Sequence, residues 1–266
     1  MAELYAVEGL RLSLADMTRK PLFGAAPRLE ILKGLDFVIP KGAVLGIVGG
    51  SGSGKSTLGR ALVRLLQPSG GRVRFDGVDI THLSDAELRP LRRRFQMIFQ
   101  DPMSSLNPRH RVGTIVAGPL RLHGFDGVEG RVARALEMVG LGGEFARRYP
   151  HELSGGQRQR VGIARAIALE PEFILADEIV SGLDVSTQAQ VLNLLEGLVR
   201  DLGLTLAFIS HDLSVVRRLC QRVMVMQGGR IVENRLTEDV FSDPQADYTR
   251  ELLAAIPLPD PAQVWV

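Results

Sequence analysis

Gly49-Gly50-Ser51-Gly52-Ser53-Gly54-Lys55-Ser56-Thr57 constrains this chain more than any other stretch. It follows the apolar run Val44-Leu45-Gly46-Ile47-Val48 and precedes a helical pattern in which Leu58, Ala61, Leu62, Leu65 and Leu66 share one face. Strand, glycine-rich loop and helix start form the context in which G-x-x-x-x-G-K-[ST] cradles phosphate. The glycines let successive backbone N–H groups point at phosphate oxygens, and the helix N-terminus adds partial positive charge. Lys55 is expected to reach the terminal phosphates and the Ser56 hydroxyl to hold Mg²⁺. A serine-glycine linker would need neither Lys55 nor the flanking strand and helix. The stretch therefore implies a nucleoside triphosphate site.

Bulk properties exclude several classes. A net charge of +2 over 266 residues gives nucleic-acid binding no support, and 45% apolar content is enough for a sizeable core. The single cysteine, Cys220, rules out a disulfide framework, fits a reducing compartment and lies in an apolar helix pattern suited to packing. The start, Met1-Ala-Glu-Leu-Tyr, has no signal-peptide character. No apolar stretch approaches the roughly 18 to 20 residues that span a bilayer. A soluble or peripheral protein is expected.

Residues 2–14 and Ile31–Pro40 read as partnered strands around an irregular Ala15–Glu30 segment. Arg72–Phe75 alternates as a strand ending in the turn Asp76-Gly77, and Ser84-Asp85-Ala86-Glu87 reads as a capping box. The basic run Arg89–Arg94 is either a solvated face or a nucleic-acid patch, and it lacks interleaved aromatics for stacking. Phe95–Gln100 is an apolar strand, followed by a turn-rich stretch to Pro108. Strand signals then vanish, and Val128, Val132, Ala135, Leu136 and Val139 mark an amphipathic helix. Beyond it, Phe173–Ala176 and Thr205–Ser210 suit buried parallel strands, with a helix from about Ser186 to Arg200 between them. Arg222–Met226 and Arg230–Glu233 read as a hairpin across Gln227-Gly228-Gly229. Tyr248–Ala255 reads as a short helix before an extended Pro257-Leu258-Pro259. Strands alternating with helices call for a mostly parallel α/β sheet in one domain over 1–266, with a helical subdomain inserted at about 101–152 and a tail from about 234 to 266.

Gln100, Asp177-Glu178 and His211 stand at the C-terminal ends of apolar strands, the edge where open α/β sheets bind ligands. Asp177 is a candidate to order Mg²⁺, with a helix cap or surface turn as the plain alternative. Glu178 is a candidate general base for an attacking water, or else a solvent-facing glutamate. Gln100 has two credible tasks beyond a simple turn residue: completing the metal or water shell, and sensing it for the neighbouring helices. His211 is a donor to the γ-phosphate or a structural histidine. Leu153-Ser154-Gly155-Gly156-Gln157 sets a hydroxyl and two glycines at a helix N-terminus, a second anion-binding device. One nucleotide does not need two such devices from one chain. Unless the stretch is a flexible turn, it faces the nucleotide of another subunit.

Taken together, these motifs resemble those of the ATP-binding cassette (ABC) ATPases in identity, order and spacing from about Leu10 to Glu233. Gly49–Thr57 resembles Walker A, Gln100 the Q-loop, Leu153–Gln157 the signature, Phe173–Glu178 Walker B, Ser181-Gly182-Leu183-Asp184 the D-loop and His211 the switch histidine. The resemblance implies a P-loop NTPase core with a RecA-like, mostly parallel sheet, an N-terminal antiparallel β subdomain and an inserted α-helical subdomain. It implies ATP and Mg²⁺ as cofactors, bound between Walker A of one subunit and Ser154, Gly155, Gly156, Gln157 and Asp184 of a second ATPase subunit, the same or different. Closure on ATP and opening after hydrolysis would drive an integral-membrane permease at the cytoplasmic face of the inner membrane.

Phe99–Pro108, Leu183–Gln190 and Tyr248–Leu253 narrow the resemblance to peptide/nickel-type importers, which also work with an extracytoplasmic solute-binding protein. The alternatives, a soluble ABC ATPase acting on nucleic acid or ribosomes and a P-loop kinase, lack their usual marks. The first typically fuses cassettes or carries inserted modules, and the second has no use for Leu153–Gln157.

Three departures stand out. Ile179-Val180 follows Glu178 where the family has proline, which should loosen that turn. Leu14 offers no ring for adenine, with Tyr5 or Phe23 as substitutes. No cysteine lies in the tail, so no iron–sulfur site is expected.

Overall fold

A computed structural model describes residues 2–16, 18, 24 and 26–255, with the side chains of Pro102 and Met103 outside the description. Its centre is a six-stranded sheet in the order β10-β9-β3-β8-β7-β6. The strands are β3 (Val44–Val48), β6 (Phe95–Ile98), β7 (Phe173–Asp177), β8 (Thr205–Ile209), β9 (Arg222–Gln227) and β10 (Arg230–Leu236). All neighbours pair in parallel except β10, which returns antiparallel from β9.

Every residue of β3, β7 and β8 is buried, which explains their near-continuous apolar runs: these strands are covered on both faces. The two-residue side-chain period sends Val44 and Val48 into one core and Leu45 and Ile47 into the other.

The core on the Leu45 side is filled by the second sheet, ordered β2-β1-β4-β5, together with the phosphate-loop helix. Its strands are β1 (Glu3–Ala15), β2 (Arg28–Pro40), β4 (Gly70–Phe75) and β5 (Val78–Asp79), all antiparallel. The strand pair thus runs further into Ala15–Glu30 than the alternation indicates, because Leu14 pairs with Leu29 and Ala15 with Arg28. Arg94 ties the two sheets together. Its guanidinium bonds Glu172 at 2.5 Å just before β7, and also Asp76 just after β4. Those partners hold it charged well above the ordinary arginine range.

The core on the Val44 side is filled by helices. Helix α1 (Lys55–Leu62) belongs to the opposite core and α2 (Asp85–Arg92) opens on the Ser84–Glu87 capping box. Between β6 and β7 the chain forms α3 (Pro102–Ser105), α4 (Val112–Leu122), α5 (Val128–Met138) and short 3-10 turns at Gly143–Arg147 and Pro150–Glu152, with no strand among the described residues there. Then come α6 (Gly155–Ile167), α7 (Val185–Leu202), α8 (Leu213–Leu219), α9 (Thr237–Ser242) and α10 (Asp247–Ala254). Cys220 is buried beside β3, where burial pushes its thiol well up. Pro257–Pro259 lies outside the described residues. Among the described residues, no helix is long and apolar enough to cross a membrane.

One expectation fails. Helix α1 stops at Leu62, so Leu65 is about half exposed rather than sharing the apolar face. The cause is Arg64, whose positive φ of 52° turns its own side chain inward to donate to the carbonyls of Ile80 (2.6 Å) and Leu83 (3.1 Å).

Phe208 is fully buried in the middle of β8. Phe208→Ala should therefore cost about 3–5 kcal/mol of stability, read as a lowered midpoint of chemical denaturation. A shift below about 1 kcal/mol would contradict this packing.

Candidate nucleotide site

The sheet order brings the C-terminal ends of β3, β8, β7 and β6 side by side, and the polar strand-end residues converge there. Gly49 leaves β3 at φ 149°, where a Cβ would lie 2.2 Å from the Met226 carbonyl of β9, so only glycine fits. The loop then wraps the start of α1. Lys55 is 7% exposed, and its Nζ donates to the carbonyls of Gly49 (2.8 Å) and Gly50 (3.0 Å). Burial pulls its ammonium below the ordinary value, while the charges of Glu178 and Asp177 push it back up.

Ser56 Oγ donates to Asp177 Oδ1 at 3.0 Å. Asp177 is 2% exposed at the end of β7, and burial raises its carboxyl above the usual range. The neighbouring charge of Glu178 adds to that rise, whereas the Ser56 bond, Arg60 and Lys55 oppose it.

Glu178 takes a backbone conformation rare outside glycine, φ 49°. Its N–H donates to the Ile209 carbonyl (3.0 Å) and its own carbonyl accepts from Ser181 N–H (3.1 Å), while Ile179 and Val180 are buried. Apolar burial and two backbone bonds hold this turn where the family has proline. Its carboxylate Oε2 accepts from Gln100 Nε2 at 2.9 Å, and His211 Nδ1 lies 3.7 Å from the same oxygen. Ser51, Gly52, Ser53, Gly54, Lys55, Ser56, Thr57, Glu178 and Ile31 line a cleft of about 310 Å³. A second cleft of about 120 Å³ adjoins at Glu178 and runs along Ser181, Leu183, Ser210 and His211.

Ser154, Gly155, Gly156, Gln157 and Asp184 do not line the first cleft. Ser154 caps α6 in a reciprocal box, its Oγ accepting from Gln157 N–H (3.3 Å) and its N–H donating to Gln157 Oε1 (3.0 Å). Asp184 caps α7 through Thr187 N–H (2.9 Å) and Thr187 Oγ1 (2.7 Å), which hold its carboxyl below the usual range. A Cβ on Gly156 would come 2.4 Å from Thr187 Cγ2, so the two caps pack against each other.

Tyr5 is not available to adenine. It is fully buried, donates to the Leu62 carbonyl (3.2 Å) and packs edge-on against Phe173 at 4.7 Å. Phe23 lies outside the described residues, and Leu14 is an exposed aliphatic on the β1–β2 pair. Two residues at the site escaped sequence reasoning. Ile31, on β2, had no signal beyond strand alternation. Tyr248, on α10, accepts from Gly50 N–H at 2.7 Å; its only signal was its place in Tyr248–Leu253, which carries no chemical motif.

Residues 32–181, over half of the chain, match the family model described as ABC transporter. A Brucella ovis protein named as a peptide import ATP-binding protein is 54% identical over 236 residues, covering 88% of this chain and 74% of that one. The chain belongs to the ABC transporter family.

The glutathione import ATP-binding protein GsiA of Salmonella typhi is 51% identical over 249 residues, 92% of this chain and 40% of GsiA. Among solved structures, the ATP-binding cassette MJ0796, in a dimeric post-hydrolysis state bound to ADP and Pi, superposes with a TM-score of 0.76. It is 30% identical, covering 88% of this chain and 98% of that one. The cassette cbiO1 of Clostridium perfringens, part of the transporter complex cbiONQ, gives 0.78 at 29% identity, with 97% of each chain covered. The fold is that of the ABC ATPase cassettes, and the chain is an ATPase that binds ATP.

Lys55→Ala should weaken ATP binding on the order of 10- to 100-fold, as expected for loss of a charge-assisted bond to phosphate. Titration with a fluorescent ATP analogue reads this. Unchanged affinity would remove Lys55 from the site.

Proposed function

We propose that this ABC ATPase is the ATP-hydrolysing subunit of an importer for peptide-like or small chelated solutes. The observation that supports it most is the convergence of Lys55, Ser56–Asp177 and Gln100–Glu178–His211 at one sheet edge. In this reading Gly49–Thr57 cradles the phosphates and Lys55 neutralises their charge. Glu178 accepts the proton of the attacking water, and Gln100 orients its carboxylate. His211, two-thirds exposed on the same oxygen, donates to the γ-phosphate. Catalysis is positioning and charge stabilisation rather than covalent chemistry.

Mg²⁺ suits the donors present. Ser56, Asp177 and Gln100 offer hard oxygens, which fits an ion that also takes phosphate and water ligands. When bound, it would offset the charge that develops on the phosphate oxygens.

Ser154, Gly155, Gly156, Gln157 and Asp184 complete the site of a second ATPase subunit, identical or related; that none of them lines this chain's own phosphate-loop cleft supports that reading. The helices after Gln100 are the surface offered to the permease, at the cytoplasmic face of the inner membrane. An extracytoplasmic solute-binding protein delivers the cargo. The peptide class rests on the peptide and glutathione import names of the relatives.

Glu178→Gln should keep ATP affinity within about threefold and lower steady-state hydrolysis by about 10²–10⁴. It should also elute as a dimer with ATP. In vesicles carrying the cognate permease and binding protein, the wild-type subunit should drive ATP-dependent uptake of a labelled dipeptide or tripeptide, and the variant should not. Near-normal turnover by the variant would sink the assignment of the base, and no peptide uptake by the wild type would sink the cargo class.

A further inference from the structure

The Gly49–Gly50 peptide is gripped from both sides. Its carbonyl, on Gly49, accepts from Lys55 Nζ at 2.8 Å, and its N–H, on Gly50, donates to Tyr248 Oη at 2.7 Å. Hydrogen bonds on opposite ends of one peptide polarise each other and together fix the plane of the group. The approach is close: a Cβ on Gly50 would lie 2.9 Å from Tyr248 Oη, so a larger residue there would displace the hydroxyl.

Tyr248 comes from α10, almost two hundred residues further along the chain, and its position is itself constrained. Glu233 on β10 is 6% exposed and accepts from the N–H groups of Gln245 (3.1 Å) and Ala246 (3.3 Å), the residues that lead into α10. Arg235 pairs with the Glu233 carboxylate at 3.3 Å and also donates to the Asp243 carbonyl at 2.9 Å. Strand β10 is hydrogen-bonded to β9, whose Met226 carbonyl walls in Gly49. A rigid path therefore runs from β10 through Glu233 and α10 to the first peptide of the phosphate loop.

We propose that Tyr248 is a positioning residue for ATP binding: it orients the Gly49–Gly50 peptide, and through it the Lys55 ammonium, with Glu233 holding α10 in place. The inference rests on the phosphate loop being the ATP site. It makes the segment after β10 a determinant of nucleotide affinity rather than an appendage of the sheet. Tyr248→Phe keeps the ring that packs against the core and removes only the acceptor for Gly50 N–H.

The test uses the full chain and four proteins: wild type, Tyr248→Phe, Glu233→Gln and the double variant. ATP affinity is read with a fluorescent analogue, KM and kcat by phosphate release, and stability by thermal melting. Tyr248→Phe should raise the ATP Kd and KM by about threefold to tenfold, the size of one neutral hydrogen bond, with kcat within twofold and the melting temperature unchanged. Glu233→Gln should raise KM in the wild-type background and add little once Tyr248 is Phe, since both act through one contact. Unchanged KM in Tyr248→Phe overturns the proposal. So does a KM rise matched by a fall in melting temperature, or full additivity of the two variants, because either marks a merely structural role. Absence of ATP binding by the wild type would instead defeat the assignment of the loop itself.

Discussion

A lysine buried at the start of α1, where the loop leaving a fully buried strand turns back on itself, is the costly element around which this molecule is arranged. An ammonium loses several kcal/mol of hydration in such a place unless polar partners replace the water. The replacements here are the carbonyls of Gly49 and Gly50 and the fields of Asp177 and Glu178. None of these can be moved without moving the others. The carbonyls require a loop that doubles back on its own helix, and so require glycine at Gly49. The carboxylates require β7 to lie near β3, which the order β3-β8-β7 provides. Burial acts on the two signs in opposite senses, lowering Lys55 and raising Asp177; the charge of Glu178, and then that of Asp177, counters it at Lys55, while the Ser56 bond, Arg60 and Lys55 counter it at Asp177.

What was legible in the sequence was what is decided locally. The buried strands announced themselves as unbroken apolar runs because they have no solvent face, and the capping box at Ser84 works within one helical turn. The convergence of Gln100, Asp177, Glu178 and His211 was legible for a different reason: parallel connections place every strand's C-terminal end on the same edge. What was not legible depends on long-range packing. Tyr5 could be an adenine platform by composition, yet its ring fills the junction between the two sheets against Phe75 and Phe173. Leu65 fits the helical period, but Arg64 ends the helix before it to bond Ile80 and Leu83. The loss of proline after Glu178 pointed to looseness, whereas Ile179 finds enough apolar surface to hold the turn with φ positive at Glu178.

The same contrast separates the phosphate loop from the Leu153–Gln157 stretch. Around Lys55 the loop's polar groups are engaged by residues from β7, α10 and its own backbone. Around Ser154 the bonds are wholly local, a hydroxyl and an amide side chain closing on one helical turn. A reciprocal cap stabilises the start of α6 whatever lies beyond it, so that end can stand exposed in a single subunit and meet a partner without refolding.

Glu178 links these two regimes. Its carboxylate oxygen accepts from Gln100, just past the strand that leads into the inserted helices, and lies 3.7 Å from His211, just past the strand beside β3. Its backbone N–H is tied to Ile209 of β8, so the main chain at Glu178 is fixed to that strand. A positive φ at a non-glycine residue costs on the order of 1–2 kcal/mol, and it is held by the burial of Ile179 and Val180 on its C-terminal side. The strain therefore sits where three strand ends meet and is balanced by packing that lies outside the cleft. Motion of the helices after Gln100 would reach Glu178 directly through one hydrogen bond. Glu178 is thus held by the core through its backbone and joined to the segment after β6 by the Gln100 hydrogen bond.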